Sequence, residues 1–568
     1  MTNYQFTGGT ICAPATIPGT GAISIIRVSG KESLAIADKV IDTKGVPIAE
    51  TEGYRLRYGT VFEADGSVLD NVIVSVFRAP HSYTGENSVE ISCHASRFIV
   101  NKILELLVNA GARIAAPGEF TRRAFVNGKM DLAQAEAVAD VIASQSAASH
   151  RVAMNQLKGG FSSELKVLRE KLLTMTSLLE LELDFSEEDV EFASRKELGQ
   201  LVDDSLTHIR RLTASFSRGN AIKNGVPVAI VGATNTGKST LLNALLGEER
   251  AIVSDIAGTT RDTIEETLNI DGILFRFIDT AGIRETDETI EKIGIDRTFK
   301  KLGEATVVLG MTDLSRGEAA VLEDADFILS KVNEMGGVKN VAAENDGAET
   351  GGASLAGTDG ASLAETGGTP PAETGVASLG GTGGKPLAET GGASRHGHGA
   401  GQERKVVILV NKCDVAGSFY KDDNGTVYGS GNDLGENMAE ISDNKNVNHN
   451  NNIVSLIENK YDNCKVIPIS AKTGKGLSTL TKTLGEIGSE ITGSTDETLV
   501  TNVRHYEALI RAASALERVR AGLHIATLPP DLIAQDLREA LYHLGEIVGE
   551  ISTDETLGNI FRNFCIGK

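Results

Sequence analysis

The sequence has no long hydrophobic run and only a few cysteines. No stretch approaches the roughly 18 consecutive apolar residues that a membrane-spanning helix needs. Its first segment lacks a basic region followed by a long apolar one, so we expect no secretory leader. The 5 cysteines are scattered without a C-x-x-C pair, which argues against a disulfide framework and a zinc site. These absences favour a reduced, cytoplasmic setting.

The charge balance is acidic, with a formal net charge of −22. This balance weighs against a broad basic face for nucleic acid, although it leaves room for a local basic patch. At 568 residues the chain is too long for one hydrophobic core, and its length predicts about three or four domains.

Two stretches have the composition of unstructured insertions. Residues 344–404 cycle through near-repeats of small residues and contain no aromatic residue or isoleucine to form a core. Residues 417–452 are rich in Asn, Gly and Asp. We expect both to be disordered loops. They are either tethers for a partner or inert surface insertions, and the usual behaviour of long loops favours the second alternative.

The rest of the chain predicts a multidomain α/β plus α protein. Residues 1–125 mix short β-branched runs with one helix-like stretch, which is typical of an α+β domain. Residues 126–224 and 491–568 have apolar residues at three- and four-residue spacing, which indicates helices. Residues 225–490 alternate strands with helices. We therefore expect a helical domain into which an α/β module is inserted.

A phosphate-binding motif begins the α/β segment. "VPVAIVGATNTGKSTLLNALLG" matches G-x-x-x-x-G-K-[ST] from Gly232 to Ser239, between an apolar strand and a helix-forming run. A glycine-rich turn could share the pattern, but this strand–loop–helix context favours N–H groups that face phosphates at a helix N-terminus. Lys238 is then expected to reach the β- and γ-phosphates, and the Ser239 hydroxyl to ligate Mg²⁺.

Four further elements follow in the order of a GTPase. "AGTTRDT" offers Thr260 as a hydroxyl that closes over Mg²⁺, and "FRFIDTAG" provides Asp279 for the Mg²⁺ shell and Gly282 for the γ-phosphate. "VVILVNKCD" provides Asn411 and Asp414, whose carboxylate can accept the N1–H and N2–H of guanine, a donor pair that adenine lacks. "VIPISAKTGKG" supplies residues to brace the base.

A helix cap at Asp414 or a turn at Gly282 would explain one element but not the ordered set, which predicts a GTPase. The predicted GTP-binding residues are Asn235, Thr236, Gly237, Lys238, Ser239, Thr240, Ser254, Asp255, Ile256, Ala257, Gly258, Thr259, Thr260, Asp279, Thr280, Ala281, Gly282, Asn411, Lys412, Asp414, Ser470, Ala471 and Lys472.

The residue that orients the attacking water in Ras-like enzymes is missing. Those enzymes have a glutamine after the D-x-x-G element, where this chain has Ile283. Either a group from a partner or an acid of "RETDETIEKIG" must position the water, although each acid alone also suits a solvated helix start. The candidates are Glu285, Glu288 and Glu291.

The terminal "FRNFCIGK" places Cys565 where a prenylated cysteine would stand. Gly567 and Lys568 fit the prenylation pattern poorly, and no polybasic run precedes them. Otherwise the thiol is either a nucleophile or a small buried hydrophobe, as free cysteines usually are.

The sequence resembles the MnmE (TrmE) family of tRNA-modifying GTPases over nearly all its length apart from the two insertions. The motifs are "ATIPGTGAISIIRVSG", "SYTGENSVEISCHAS", "APGEFTRRAFVNGKMDLAQAEAVADVI", "DIAGTTRD", "DTAGIRETDETIEKIG" and "FCIGK". The resemblance implies a tetrahydrofolate-binding, dimerising domain at 1–125, a helical domain at 126–224 and 491–568, and a Ras-like G domain at 225–490.

The resemblance also implies the activity. With the flavoprotein MnmG (GidA), a homodimer of this chain would form a heterotetramer that adds a carboxymethylaminomethyl or aminomethyl group at C5 of the wobble uridine of certain tRNAs. The reaction would use GTP, K⁺, Mg²⁺ and a one-carbon unit from 5-formyl- or 5,10-methylene-tetrahydrofolate.

Site residues carry over by position. The implied folate contacts are Arg27, Glu90, Lys129 and Lys568. The implied K⁺ ligands are Asn235, Ser254, Ile256 and Thr259. Glu291 would orient the water, and Cys565 would lie near the one-carbon unit, where it either reacts or packs. The chain departs from the family at Thr234, where proline is usual, and at Ser254, where threonine is common.

The alternative is an Era-like GTP-dependent switch in ribosome or RNA assembly, without modification chemistry. The folate-type N-terminal segment and the terminal Cys-Ile-Gly-Lys favour the modifying enzyme, because the Era-like class lacks both.

Overall fold

The structure is a computed structural model that divides into two compact units. The first contains residues 1–228, 242–281 and 477–568, and the second contains residues 229–241 and 282–476. The residues described are 8–184, 194–249, 266–278, 305–334, 404–414, 420–421, 427–428, 447–461, 464–493, 497–525, 529–551, 554–562, 564 and 567.

A seven-stranded sheet forms the N-terminal part of the first unit. Its elements are β1 (Ile11–Pro14), β2 (Ile23–Ser29), α1 (Ser33–Val40), β3 (Ile41–Asp42), a 3₁₀ turn (Ile48–Glu50), β4 (Arg55–Phe62), β5 (Val68–Phe77), β6 (Ser88–His94), α2 (Arg97–Asn109), β7 (Arg113–Ile114) and α3 (Glu119–Val126). The strand order is β3-β4-β5-β6-β2-β1-β7. Neighbours are antiparallel except β1 and β7, which run parallel.

One face of this sheet is covered by α1 and α2, and the other is open along β4 and β5 but covered by α3 at β1, where Phe120 packs with Ile11 and Ala13. In β5, Val72, Val74 and Val76 are buried and share a core with Leu34 of α1 and Leu107 of α2. The residues between these valines point to the opposite face, because side chains alternate along a strand. That open face also carries Arg27 of β2 and Glu90 of β6, which are directly paired in register.

Five helices follow in the first unit. They are α4 (Leu132–Ala143), α5 (Ala147–Leu157), α6 (Gly160–Asp184), α7 (Arg195–Ala214) and α8 (Phe216–Asn224). Capping boxes fix the starts of two of them, since Asp131 and Gln134 exchange hydrogen bonds at α4, and Ser146 and Ser149 do so at α5.

The α/β segment contributes to both units. Its elements are β8 (Val226–Gly232), α9 (Lys238–Glu249), β9 (Glu266–Ile270), β10 (Ile273–Ile278), β11 (Val307–Asp313), a 3₁₀ turn (Leu314–Arg316), α10 (Glu318–Glu334), β12 (Lys405–Asn411), β13 (Tyr420–Lys421), β14 (Val427–Tyr428), α11 (Val447–Lys460) and β15 (Cys464–Pro468). In the first unit, β9 and β10 form an antiparallel hairpin. Its turn is Asp271-Gly272, both with positive φ, as a two-residue hairpin turn requires.

In the second unit the strand order is β15-β12-β11-β8. Strands β11, β12 and β15 run parallel, and they are almost continuously buried, as parallel strands covered on both faces are. Since the carboxyl ends of parallel strands meet at one edge, the segments that follow β11, β12 and β15 lie together there.

One expectation differs from the structure in this segment. The composition of residues 417–452 predicts a loop, but they include the short strands β13 and β14, and α11 begins at Val447. The buried Ile457 anchors α11, and the helix continues from there into the Asn-rich residues before it. Residues 344–403 of the other expected insertion lie outside the described residues.

The chain ends in four helices of the first unit, α12 (Leu477–Thr492), α13 (Val503–Leu523), α14 (Pro530–Val548) and α15 (Asp554–Arg562). One hydrophobic core contains Leu172 of α6 and Leu206 of α7 together with Leu516 of α13 and Leu544 of α14. Helices from both flanks of the α/β segment therefore form one body, which confirms the predicted fold class. Within the described residues, no helix is long and apolar enough to cross a membrane.

Candidate functional site

The phosphate-binding motif forms a loop between β8 and α9. Two residues of the loop have left-handed backbones, Asn235 with φ 62° and Gly237 with φ 98°. A Cβ at Gly237 would collide with the Asn411 amide, so the loop needs glycine there. Such turns direct successive N–H groups into one concavity, which suits the phosphates of a nucleotide.

Lys238 is folded over this loop. Its Nζ donates hydrogen bonds to the carbonyl oxygens of Gly232 at 2.9 Å and Ala233 at 2.8 Å. Burial lowers the pKa of the Lys238 ammonium. The predicted Mg²⁺ ligand Ser239 follows it as the second residue of α9, next to the exposed Thr240.

Asn411 connects the loop to the other base-recognition segments of the second unit. Its Nδ2 donates to the Thr236 carbonyl at 2.6 Å, and its Oδ1 accepts from the Ala471 N–H at 3.0 Å. Asn411, Thr236 and Ala471 are all buried. Both ends of one amide thus join three of the predicted sequence elements.

Lys412 has a partner that the sequence analysis missed. This residue has a left-handed φ of 64°, and its Nζ lies 2.6 Å from Oδ2 of Asp313, which ends β11. Burial would raise the pKa of the Asp313 carboxyl, but bonds from Lys412 and Ser315 outweigh burial and lower it. In the sequence, Asp313 could have been found as an acidic residue at the carboxyl end of a predicted buried strand.

The last predicted segment is a tight turn. The Oγ of the buried Ser470 accepts from the Thr473 N–H at 3.3 Å, and its own N–H donates to the Lys475 carbonyl at 2.9 Å. Lys472 is exposed beside Ala471. Asp414, the predicted guanine acceptor, lies three residues after Asn411 at the same sheet edge.

Several predicted site residues lie outside the described residues. They are Ser254, Asp255, Ile256, Ala257, Gly258, Thr259, Thr260, Asp279, Thr280, Ala281, Gly282, the acids Glu285, Glu288 and Glu291, and the terminal Cys565 and Lys568.

A second candidate site lies on the open face of the N-terminal sheet. Arg27 and Glu90 form an ion pair of 2.8 Å, with about a fifth and a quarter of their side chains exposed. The Arg27 guanidinium lies 5.2 Å from the ring centre of Tyr83 and 5.7 Å from that of Phe120. Charged and aromatic side chains therefore meet in one place.

Tyr83 and Phe120 were missed by the sequence analysis, although both stand in motifs that carry the family resemblance. Tyr83 is held by a hydrogen bond of 2.8 Å between its hydroxyl and Thr121. Burial raises the pKa of the Tyr83 hydroxyl. Lys129, in contrast, is not paired with Glu90, since its Nζ donates to the Pro80 carbonyl at 3.1 Å.

The C-terminal tail reaches this second site. The Arg27 Nη1 lies 3.4 Å from the carbonyl oxygen of Gly567, which is buried. Gly567 has a φ of 100°, and a Cβ there would collide with the Pro14 carbonyl on β1. Gly567 therefore packs directly beside Arg27.

A P-loop, an Asn-Lys-x-Asp segment and a Ser-Ala-Lys turn gathered at one edge of a parallel sheet define the class of P-loop GTPases. Two family models divide the chain further. Residues 132–565 match the MnmE helical domain, and residues 10–129 match the N-terminus of the GTP-binding protein TrmE.

Curated relatives span the full length. "tRNA modification GTPase MnmE" of Parabacteroides distasonis is 44% identical over 98% of this chain and 100% of the relative. The proteins of that name from Bacteroides thetaiotaomicron, at 43% identity, and Porphyromonas gingivalis, at 41%, match 98% and 100% of this chain and 99% of each relative. The chain belongs to the MnmE family of tRNA modification GTPases, which confirms the resemblance.

Among solved structures, a GTP-binding protein from Sulfolobus solfataricus in complex with GDP matches 58% of this chain and 67% of that chain. The identity is 14% and the TM-score 0.23, so the family assignment rests on the sequence relatives and family models.

Proposed function

We propose that this chain is a K⁺-dependent GTPase that works with the flavoprotein MnmG to add an aminomethyl-type group at C5 of the wobble uridine in certain tRNAs. The observation that carries the proposal is the Asn411 brace, the two hydrogen bonds by which this side chain joins the P-loop to the turn that contains Ala471. Family membership supplies tRNA modification as the process in which this hydrolysis acts.

In this proposal the P-loop holds GTP. Lys238 binds the β- and γ-phosphates, Ser239 and Thr260 hold Mg²⁺, and Asp414 accepts from guanine. The side chain of Asn235 is exposed on the loop and offers an amide oxygen, a donor that suits K⁺. Ser254, Ile256 and Thr259 would complete that ion's ligands, and Glu291 would orient the water. Held by these residues, K⁺ would supply positive charge near the transferring phosphoryl group.

In this proposal the surface around Arg27 and Glu90 binds a reduced folate. A pterin offers donors for the Glu90 carboxylate and a flat ring for Tyr83, and the glutamate tail of folate suits Arg27. Lys129 and Lys568 would bind from the rim. The buried seat of Gly567 supports a place for Cys565 near the one-carbon unit.

The proposed assembly is a cytoplasmic homodimer that forms a heterotetramer with MnmG. Residues 1–125 would dimerise and bind folate, residues 126–224 and 491–568 would form the helical domain, and residues 225–490 the G domain.

The test compares the wild type with Asn235→Gly. Glycine keeps the left-handed backbone of position 235 and removes only the proposed K⁺ ligand. We expect wild-type GTP hydrolysis to be at least roughly tenfold faster in KCl than in NaCl of equal ionic strength. The variant should bind GTP but lose this difference.

The same variants are then expressed in a strain that lacks the chain, and its tRNA nucleosides are analysed. Wild type should restore the C5 modification, and Asn235→Gly should not. Equal hydrolysis rates in the two salts would remove the K⁺ assignment, and normally modified tRNA in the deleted strain would refute the function.

A further inference from the structure

An open groove of about 840 Å³ lies along helix α5 in the first unit, outside both candidate sites. Its described lining residues are Ser144, Gln145, Ser146, Ala147, His150, Arg151, Met154, Asn155, Lys158 and Asn269.

The groove has a charge opposite to that of the whole chain. Among the described residues that line it, Arg151 and Lys158 are cationic, His150 is a further nitrogen donor, and none is acidic. The chain as a whole has a net charge of −22. A local basic surface on such an acidic protein attracts a polyanion by charge complementarity, while the remaining surface repels it.

The basic side chains have a spacing that suits a phosphate backbone. Arg151 lies on α5 and Lys158 follows the helix as its C-cap in a helical backbone conformation, so the seven-residue spacing places them on one side, separated by about 10.5 Å along the axis. A nucleic acid strand has a charge about every 3.4 Å of axis in B-form geometry, so this separation corresponds to roughly three phosphates.

The groove is built on fixed backbone. The capping box of Ser146 and Ser149 sets the start of α5. On the β9 side, Asn269 donates from Nδ2 to the Gln145 carbonyl at 2.9 Å, which ties the hairpin to the segment before the helix. The lining side chains therefore project from positioned elements, so a ligand does not have to order the groove when it binds.

We propose that this groove binds the phosphate backbone of the tRNA substrate. The inference rests on the proposed function, because that function makes tRNA the polyanion that the protein must meet. RNA is favoured over a protein partner because the lining is polar and basic, with Met154 as its only large apolar residue among those described. Protein interfaces are instead enriched in aromatic anchors at their centre.

The experiment measures the affinity of the full-length chain for an unmodified tRNA transcript over a series of salt concentrations. Lys158→Gln removes one cation from the groove. Its matched control is Lys171→Gln, which removes one cation from the exposed surface of α6. A double variant, Arg151→Gln with Lys158→Gln, removes both groove cations.

Each phosphate contact contributes a slope of about 0.7–0.9 to the dependence of log affinity on log salt, so its loss weakens binding about fivefold to eightfold at 0.1 M salt. We expect Lys158→Gln to show this loss and the smaller slope, and the double variant to lose about 25- to 60-fold. Lys171→Gln should stay within about twofold of the wild type. GTP hydrolysis without tRNA should be unchanged in all three, which confirms that they are folded.

Equal tRNA affinity in the groove variants and the Lys171→Gln control overturns the proposal, and so does a wild type that binds no tRNA. A groove variant that loses only MnmG binding would show that the surface docks a protein, which also overturns it. These failures differ from failure of the proposed function, because the nucleoside analysis tests the wild-type chain and the groove is tested by the difference between two lysine variants.

Discussion

Asn411 holds the nucleotide site together at the scale of one side chain. A buried amide that uses both its donor and its acceptor leaves two backbone groups unpaired when it is removed, here the Thr236 carbonyl and the Ala471 N–H. Leaving a buried polar group without a partner costs about 1–3 kcal/mol. Losing these two hydrogen bonds would destabilise the folded conformation of both loops even in the nucleotide-free protein.

We therefore predict that Asn411→Ala loosens two loops in the nucleotide-free protein. A cost of about 2 kcal/mol corresponds to roughly thirtyfold faster opening. Hydrogen exchange measured by mass spectrometry should show this acceleration in the peptides that contain Thr236 and Ala471.

The control is Thr312→Val, also in the buried sheet, which loses one hydrogen bond of 3.3 Å from its hydroxyl to the Leu409 carbonyl. If the amides of both loops exchange no faster in Asn411→Ala than in Thr312→Val, the Asn411 side chain does not stabilise the loops.

The site residues that the sequence could predict are those whose spacing in the chain is fixed by one ligand. Lys238 and Asn411 belong to short motifs that phosphate and base impose. The sequence could not predict the partners that come from distant parts of the chain, because only the fold brings them together. Asp313 meets Lys412 across 99 residues, and Arg27 is met by Tyr83 from the β5–β6 loop and by Phe120 from α3. No local spacing encodes such contacts.

At the scale of elements, a buried ionic cluster joins α4 to α13 and α14. Arg504 on α13 donates to both carboxylate oxygens of Glu136, at 2.9 and 3.0 Å, and His505 Nε2 lies 2.6 Å away from the same group. Arg504 also donates to the Glu546 and Ile547 carbonyls at the C-terminal end of α14. One arginine thus pairs a buried charge and caps a helix.

This cluster predicts an acid-sensitive contribution to stability. Burial would raise the pKa of Glu136, but His505 and Arg504 outweigh burial and hold it at about 2, below its ordinary 4.5. Because the folded pKa is the lower one, the contribution is complete above about pH 4.5 and is lost as pH falls towards 2. A pKa difference of this size corresponds to roughly 3 kcal/mol.

We expect Glu136→Gln to lower the free energy of unfolding by up to roughly this amount at pH 7, where burial keeps the pKa of His505 below its ordinary value and Arg504 carries the charge that faces Glu136, and the difference from the wild type to shrink below pH 4.5. Urea unfolding followed by circular dichroism at a series of pH values measures both. Glu170→Gln, at an exposed carboxylate of α6, should differ little from the wild type at any pH. A pH-independent difference for Glu136→Gln would contradict the argument.

At the scale of the whole molecule, helical periodicity on both sides of the α/β segment was enough to predict that two distant stretches form one body. The shared core of α6, α7, α13 and α14 fulfils that expectation, because apolar stripes on separate helices must find a common interior. Periodicity could not predict the path of the tail, whose last residues have no repeating pattern. Its place depends on one glycine that fits against β1.

The contact of Gly567 with Pro14 joins the two ends of the chain, and it predicts different effects of one substitution on the two candidate sites. Gly567→Ala would put a Cβ into the Pro14 carbonyl at a left-handed φ, so the tail must move away from Arg27. We expect affinity for 5-formyltetrahydrofolate to fall about tenfold, since backbone strain of this kind costs roughly 1–3 kcal/mol. Hydrolysis of GTP in K⁺ without tRNA should be unchanged, because the nucleotide site shares no residue with the tail.

Gly558→Ala on α15 is the matched control, because it has open space at its Cβ. Calorimetric titration of both variants with 5-formyltetrahydrofolate measures the two affinities. Equal folate affinity in the two variants would show that the tail takes no part in the proposed folate site.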